Sequence, residues 1–203
     1  VPDGRIRLAW QSMNRCAGIP NITAPCSSKN TMKPLAGAHR TNFLTWVDTL
    51  VHGNGTPAHI MIRNAGDYLK TEGIKSPWNS IPDTADSAPI ACRKAFHIFM
   101  TDGGWNSSEP TDTGKHIDGD RKKADYKVIG GGNIDGNDIT LGDGTTPYTA
   151  NSNTTKIFYD QWGFGGTDGL NTVSDLAFYY WATDLQPSIS NSVVPVIKES
   201  GNK

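Results

Sequence analysis

The sequence predicts an α/β fold, a central parallel sheet flanked by helices, and three observations predict it. Ala95-Phe96-His97-Ile98-Phe99-Met100-Thr101 is apolar on both alternations, as a strand covered on both faces must be. Phe43, Trp46, Val47, Leu50 and Val51 recur at i, i+3, i+4, i+7 and i+8, which is one stripe of a helix. Ala58, Met61, Ile62, Ala65 and Leu69 make a second stripe close behind it.

Taken in order, residues 5–13 leave two patterns open. Ile6, Leu8 and Trp10 fit a strand, while Ile6, Ala9, Trp10 and Met13 fit a helix face. Cys16 and Cys26 then flank a loop rich in Pro, Asn and Ser. They form either a local disulfide in an oxidising compartment, with Cys92 left over, or, with Cys92, three unpaired buried thiols. Their spacing matches no zinc site. The first helix, over 40–51, is expected to end at Gly53-Asn54-Gly55, residues that tolerate a left-handed terminus. Thr56 can cap the second, over 57–70, through its hydroxyl, and Pro57 sacrifices no hydrogen bond at the first helical position.

A polar, proline-bearing loop leads into the strand at 95–101, which runs straight into Asp102-Gly103-Gly104. Ligands of open α/β sheets collect at such carboxyl ends. Residues 103–171 hold about two-thirds of the glycines and few aliphatics, so they read as a long insertion, with a short strand at 156–159. Val173, Leu176, Ala177, Tyr180 and Trp181 mark a helix over 172–184, broken at Gln186-Pro187 and followed by an extended run at 193–197. With no repeat and no boundary, residues 1–203 read as a single domain carrying the insertion 103–171.

Nineteen Lys and Arg against twenty Asp and Glu give no basic field for nucleic acid. No apolar run approaches the roughly 20 residues that span a bilayer. No charged-then-apolar signal opens the chain, and Val1-Pro2-Asp3-Gly4 reads as a processed or excised beginning. Gly-x-Ser-x-Gly, His-Glu-x-x-His and Walker A patterns are all absent, so an enzyme is not expected. His97, inside the apolar strand, is expected to pack there and not to act as a base. Asp102 and Asp175 as paired carboxylates of a metal-dependent hydrolase are the remote alternative.

Thr56 and Asp102 are the residues that could meet at a cation. Mg²⁺ and Ca²⁺ want oxygen ligands, and these two offer a hydroxyl from a Gly-rich turn and a carboxylate from a strand end. Each also has a plain structural use, Thr56 as a cap and Asp102 in a turn. Asn133, Asp135 and Asn137, with Asp138 and Asp143, partly match a calcium loop. They lack the glycine and terminal glutamate of an EF-hand, and solvated polar turns explain them as well. Gly130-Gly131-Gly132 has Asp135 where a dinucleotide fingerprint needs its third glycine.

Gly53-Asn54-Gly55-Thr56-Pro57 before a helix, and Phe96-His97-Ile98-Phe99-Met100-Thr101-Asp102-Gly103, resemble the second and third parts of a von Willebrand factor A metal-ion-dependent adhesion site. More specifically, the chain resembles the type IV pilus tip adhesin and biogenesis family, PilC/PilY. The resemblance lies in Arg5-Ile6-Arg7-Leu8-Ala9-Trp10-Gln11-Ser12-Met13-Asn14, His39-Arg40-Thr41-Asn42-Phe43 with Trp46, and Cys92-Arg93-Lys94-Ala95-Phe96-His97. It continues in Thr101-Asp102-Gly103-Gly104-Trp105-Asn106, Gly132-Asn133-Ile134-Asp135-Gly136 and the run from Ser174 to Leu185.

The resemblance implies a von Willebrand factor A-like sheet in which residues 5–13 are a strand. It implies an adhesion and pilus-assembly module at the cell surface or pilus tip, with minor pilins and a host-cell or surface ligand as partners. The alternative is a non-adhesive platform that presents residues 103–171. The family's Asp-x-Ser-x-Ser appears nowhere in residues 1–203. The expectation is therefore that the chain begins after the first strand. Thr56 and Asp102 alone should then bind Mg²⁺ or Ca²⁺ little, and a longer parent would complete the site.

Overall fold

In the computed structural model, a short antiparallel ribbon meets two helices. The model describes residues 2–13, 19, 29–51, 55–101, 139–140, 145, 147–148, 173, 177, 180–181 and 183–190. The chain separates into two compact units, Val1–Ser108 and Glu109–Lys203, where the sequence predicts one domain with an insertion.

In the first unit, β1 (Arg7–Leu8) pairs antiparallel with β2 (Lys33–Pro34), Arg7 opposite Pro34 and Leu8 opposite Lys33. Proline is tolerated because it sits on an edge strand, where its missing N–H costs no ladder bond. The Leu35 N–H donates to the Ile6 carbonyl at 2.9 Å, prolonging the ribbon by one step. Residues 5–13 thus take the strand alternative in part, with only two of them in a ladder.

Helix α1 spans Gly37–Asp48, three residues earlier than expected at each end. Thr49 is its C-cap: its N–H and its hydroxyl both donate back to the carbonyls of Thr45 and Trp46, the hydroxyl at 2.8 Å and 3.2 Å. Leu50 and Val51 therefore fall beyond the helix and lie exposed, as does Val47. The expected stripe is corrected to His39, Phe43 and Trp46, at i, i+4 and i+7, gathered around Trp10 of the ribbon. Trp10 is buried, with ring centroids 4.7 Å from His39, 5.4 Å from Phe43 and 6.1 Å from Trp46.

Helix α2 spans Ala58–Leu69, within a residue of the expected bounds. Ala58, Met61, Ile62 and Ala65 are buried, as their spacing requires, and Tyr68 joins them. Full burial of a side chain such as Ile62 is worth about 1.5–3 kcal/mol. The C-terminal end is held by side chains from both directions. The Trp78 indole N–H donates to the Leu69 carbonyl at 2.8 Å, and the Met32 N–H donates to the Tyr68 hydroxyl at 2.7 Å. A 3-10 turn, Gly73–Lys75, follows, and its glycine has φ of 68°, a conformation costly for other residues.

The segment 95–101 differs most from expectation. Residues 94–101 carry no secondary structure, and Phe96, Ile98 and Met100 are 80%, 78% and 82% exposed. The central strand expected there has no ladder partner among the described residues, so its apolar side chains stay in solvent.

In the second unit, β3 (Ile139–Thr140) and β4 (Pro147–Tyr148) form an antiparallel pair. Val173, Ala177, Tyr180 and Trp181 are helical, on the stripe expected over 172–184; Tyr180 is buried and Trp181 exposed. The runs at 156–159 and 193–197 lie outside the described residues. Among the described residues no helix is long and apolar enough to cross a membrane.

Candidate functional site

Thr56 stands half-buried at the start of α2, after the exposed Gly55. Its carbonyl accepts the Ala58 N–H at 2.9 Å. The sequence expects Thr56 to be the cap; the N-cap position falls one residue on, at Pro57. Gln11 ties the N-terminal segment to the first turn of α2, its Nε2 donating to the Met61 carbonyl at 2.6 Å. Asp102, the other half of the expected pair, lies outside the described residues. So do Cys16, Cys26, Asn133, Asp135, Asn137 and Asp175. Cys92 is exposed, with a free thiol.

A divalent cation of this kind takes about six oxygen ligands, and Thr56 offers one hydroxyl. Among the described residues no three His, Cys, Asp or Glu side chains converge as a metal set would. The described part of the chain does not make a cation site by itself.

What it does make is a frame of polar clamps around the helix that carries Thr56. Arg7 donates through one terminal nitrogen to the carbonyls of Pro77 at 3.1 Å and Asn79 at 3.0 Å, and through the other to Met32 at 3.2 Å. Arg93 adds a bond to the Asn79 carbonyl at 2.9 Å. These guanidinium bonds tie the ribbon to the loop after α2. Asn30, with no exposed surface, donates from its amide to the Trp10 carbonyl at 2.8 Å and accepts the Trp10 N–H on its backbone carbonyl at 3.2 Å.

Two titratable groups lie inside this frame. Burial pushes the Tyr68 hydroxyl up to about 12, against the lowering effect of the Met32 bond. Burial likewise holds His39 below the usual imidazole range. Its Nε2 bond to the Leu8 carbonyl, at 2.8 Å, opposes the shift, and the nearby Lys33 charge adds to it. Sequence reading missed the roles of Asn30 and Tyr68, because these residues belong to no motif and their partners are backbone groups far along the chain.

With this frame in view, comparison with known proteins assigns the family. Type IV pilus biogenesis factor PilY1 of Pseudomonas aeruginosa strain PAK is 30% identical over 191 residues, 94% of this chain. The chain belongs to the PilC/PilY family. PilY1 of strain PAO1 is 31% identical over 196 residues, and that of strain UCBPP-PA14 is 30% identical over 194. The chain spans 13–14% of the length of these PilC/PilY relatives. No family model and no solved structure matches it.

Proposed function

We propose that residues 1–203 are part of an adhesion and pilus-assembly module of a type IV pilus protein, working at the cell surface or pilus tip. One observation carries this: likeness over 94% of the chain to proteins named type IV pilus biogenesis factors. The partners are minor pilins and a surface or host-cell ligand. The fold is von Willebrand factor A-like, and its sheet is completed in the longer polypeptide. Thr56 and Asp102 add oxygens to a Mg²⁺ or Ca²⁺ site whose remaining ligands lie elsewhere in that polypeptide. An open position on such an ion accepts a carboxylate or another oxygen from the ligand.

Titration of the full-length protein with Mg²⁺, Mn²⁺ or Ca²⁺ tests this. Saturable binding is expected, with Asp102→Ala weakening both binding and adhesion. Equal adhesion with and without chelator would leave a scaffold that presents residues 103–171, and the cation role of Thr56 and Asp102 would be dropped.

A further inference from the structure

We infer that Arg7 and Arg93 form a binding site for a doubly charged oxyanion, a phosphate group. Both side chains reach the same atom. Nη1 of Arg7 donates to the Asn79 carbonyl at 3.0 Å, and Nη1 of Arg93 donates to it at 2.9 Å. These two nitrogens therefore stand no more than about 6 Å apart, and like charges that close repel.

Among the described residues no carboxylate pairs with either arginine. The other partners of Arg7 are the carbonyls of Pro77 and Met32, which accept an N–H but carry no net charge. Asp83 acts on the Tyr68 hydroxyl from a distance and bonds neither guanidinium. Both arginines are half-buried, and burial holds Arg93 below the usual guanidinium range. Charges drawn out of water are paired as a rule, so this pair calls for an anion.

The donors to hold one are present. A guanidinium has five N–H groups. Arg7 makes three hydrogen bonds and Arg93 one, which leaves at least two N–H groups on Arg7 and four on Arg93. The Arg7 Nε–H is among them, buried and without an acceptor. The planar fork of an arginine matches two oxygens of a phosphate. A phosphate group also carries close to two negative charges at neutral pH, about one for each arginine, where a carboxylate brings one. The site uses neither Thr56 nor Asp102 and requires neither a cation nor adhesion.

Labelling of the full-length protein with an arginine-selective dicarbonyl reagent at pH 7.5, read residue by residue by peptide mass spectrometry, tests it. Inorganic phosphate should slow modification of Arg93 about 10-fold or more and leave Arg40, which pairs with Asp3, unchanged. Equilibrium dialysis with radiolabelled phosphate gives a second measure. Arg93→Gln, which gives up one bond to the Asn79 carbonyl, should bind one equivalent less than the unaltered protein, and Arg40→Gln should bind the same. Protection by glycerol 1-phosphate as well as by inorganic phosphate would uphold the site for a phosphate borne on a larger molecule, and protection by the inorganic ion alone would uphold it for the free ion. Equal protection by chloride at matched ionic strength would overturn the inference in favour of screening, and equal protection by acetate would overturn the requirement for two charges. Slow labelling of Arg93 without any added anion, unmoved by phosphate, would overturn it in favour of a carboxylate of the same polypeptide. Loss of adhesion in chelator would leave these results untouched, so the two proposals fail separately.

Discussion

Segment 95–101 is more apolar in sequence than helix α2, yet α2 is the one that buries its apolar side chains. Ile62 is 4% exposed and Ile98 is 78% exposed. A helix closes its backbone hydrogen bonds within itself, so a dozen residues with one apolar stripe need only a surface to lie on. A strand closes none of its own bonds and depends on neighbours that can be hundreds of residues away. Local sequence therefore determines α2 almost completely, and determines only the conformation and appetite of 95–101.

Paired substitutions in residues 1–203 give the sharpest break. Ile62→Ala should cost about 2–5 kcal/mol, whereas Ile98→Ala should stay within about 0.5 kcal/mol. Urea unfolding of the two variants measures the difference, and similar costs would mean that the two segments are not so unlike. Arg7→Met should come next, at about 2–3 kcal/mol, because it removes a charged donor shared by three carbonyls that bridge β2 and the loop after α2. Its amide-exchange signature should be faster exchange at 78–81 with α2 still protected. Tyr68→Phe should cost about 1 kcal/mol by orphaning the Met32 N–H, and should leave the α2 circular-dichroism signal in place.

The smallest effect is one of pH. Burial lowers the folded pKa of His39, so the neutral ring is the form the native state prefers. The unfolded chain then binds the proton first. Stability is present in full above the unfolded value near 6.5 and is lost as pH falls below it towards the lowered folded value. Denaturation midpoints between pH 7.5 and 5 should show the decline. His39→Phe should flatten it, and an unchanged slope in that variant would assign the decline to other groups.

How much was legible follows the same division. The stripe Ala58, Met61, Ile62, Ala65 lies buried as its spacing demands. The stripe on α1 was misplaced, because nothing in periodicity says that the C-cap will fall at Thr49, before Leu50 and Val51 can join the helix. Residues 5–13 looked equally like helix and strand, and a partner some 25 residues on, at Lys33–Pro34, decided between them. The hairpin of β3 and β4 escaped notice because each strand is two residues long and too short to show a period. Of the candidate site, sequence placed Thr56 correctly at the threshold of α2. It made Thr56 the cap, whereas the N-cap position is held by Pro57. The cysteine pairing of Cys16 and Cys26 lies outside the described residues.

The two-way clamp between Trp10 and Asn30 has a consequence for how this region can diverge. Backbone and side chain of Asn30 grip both the N–H and the carbonyl of Trp10, so the two ends of the chain between them are held together whatever lies in the middle. Position 30 can therefore diverge little: Asn30→Ala keeps the backbone bond but orphans the Trp10 carbonyl, and should loosen the packing of Trp10 against His39, Phe43 and Trp46.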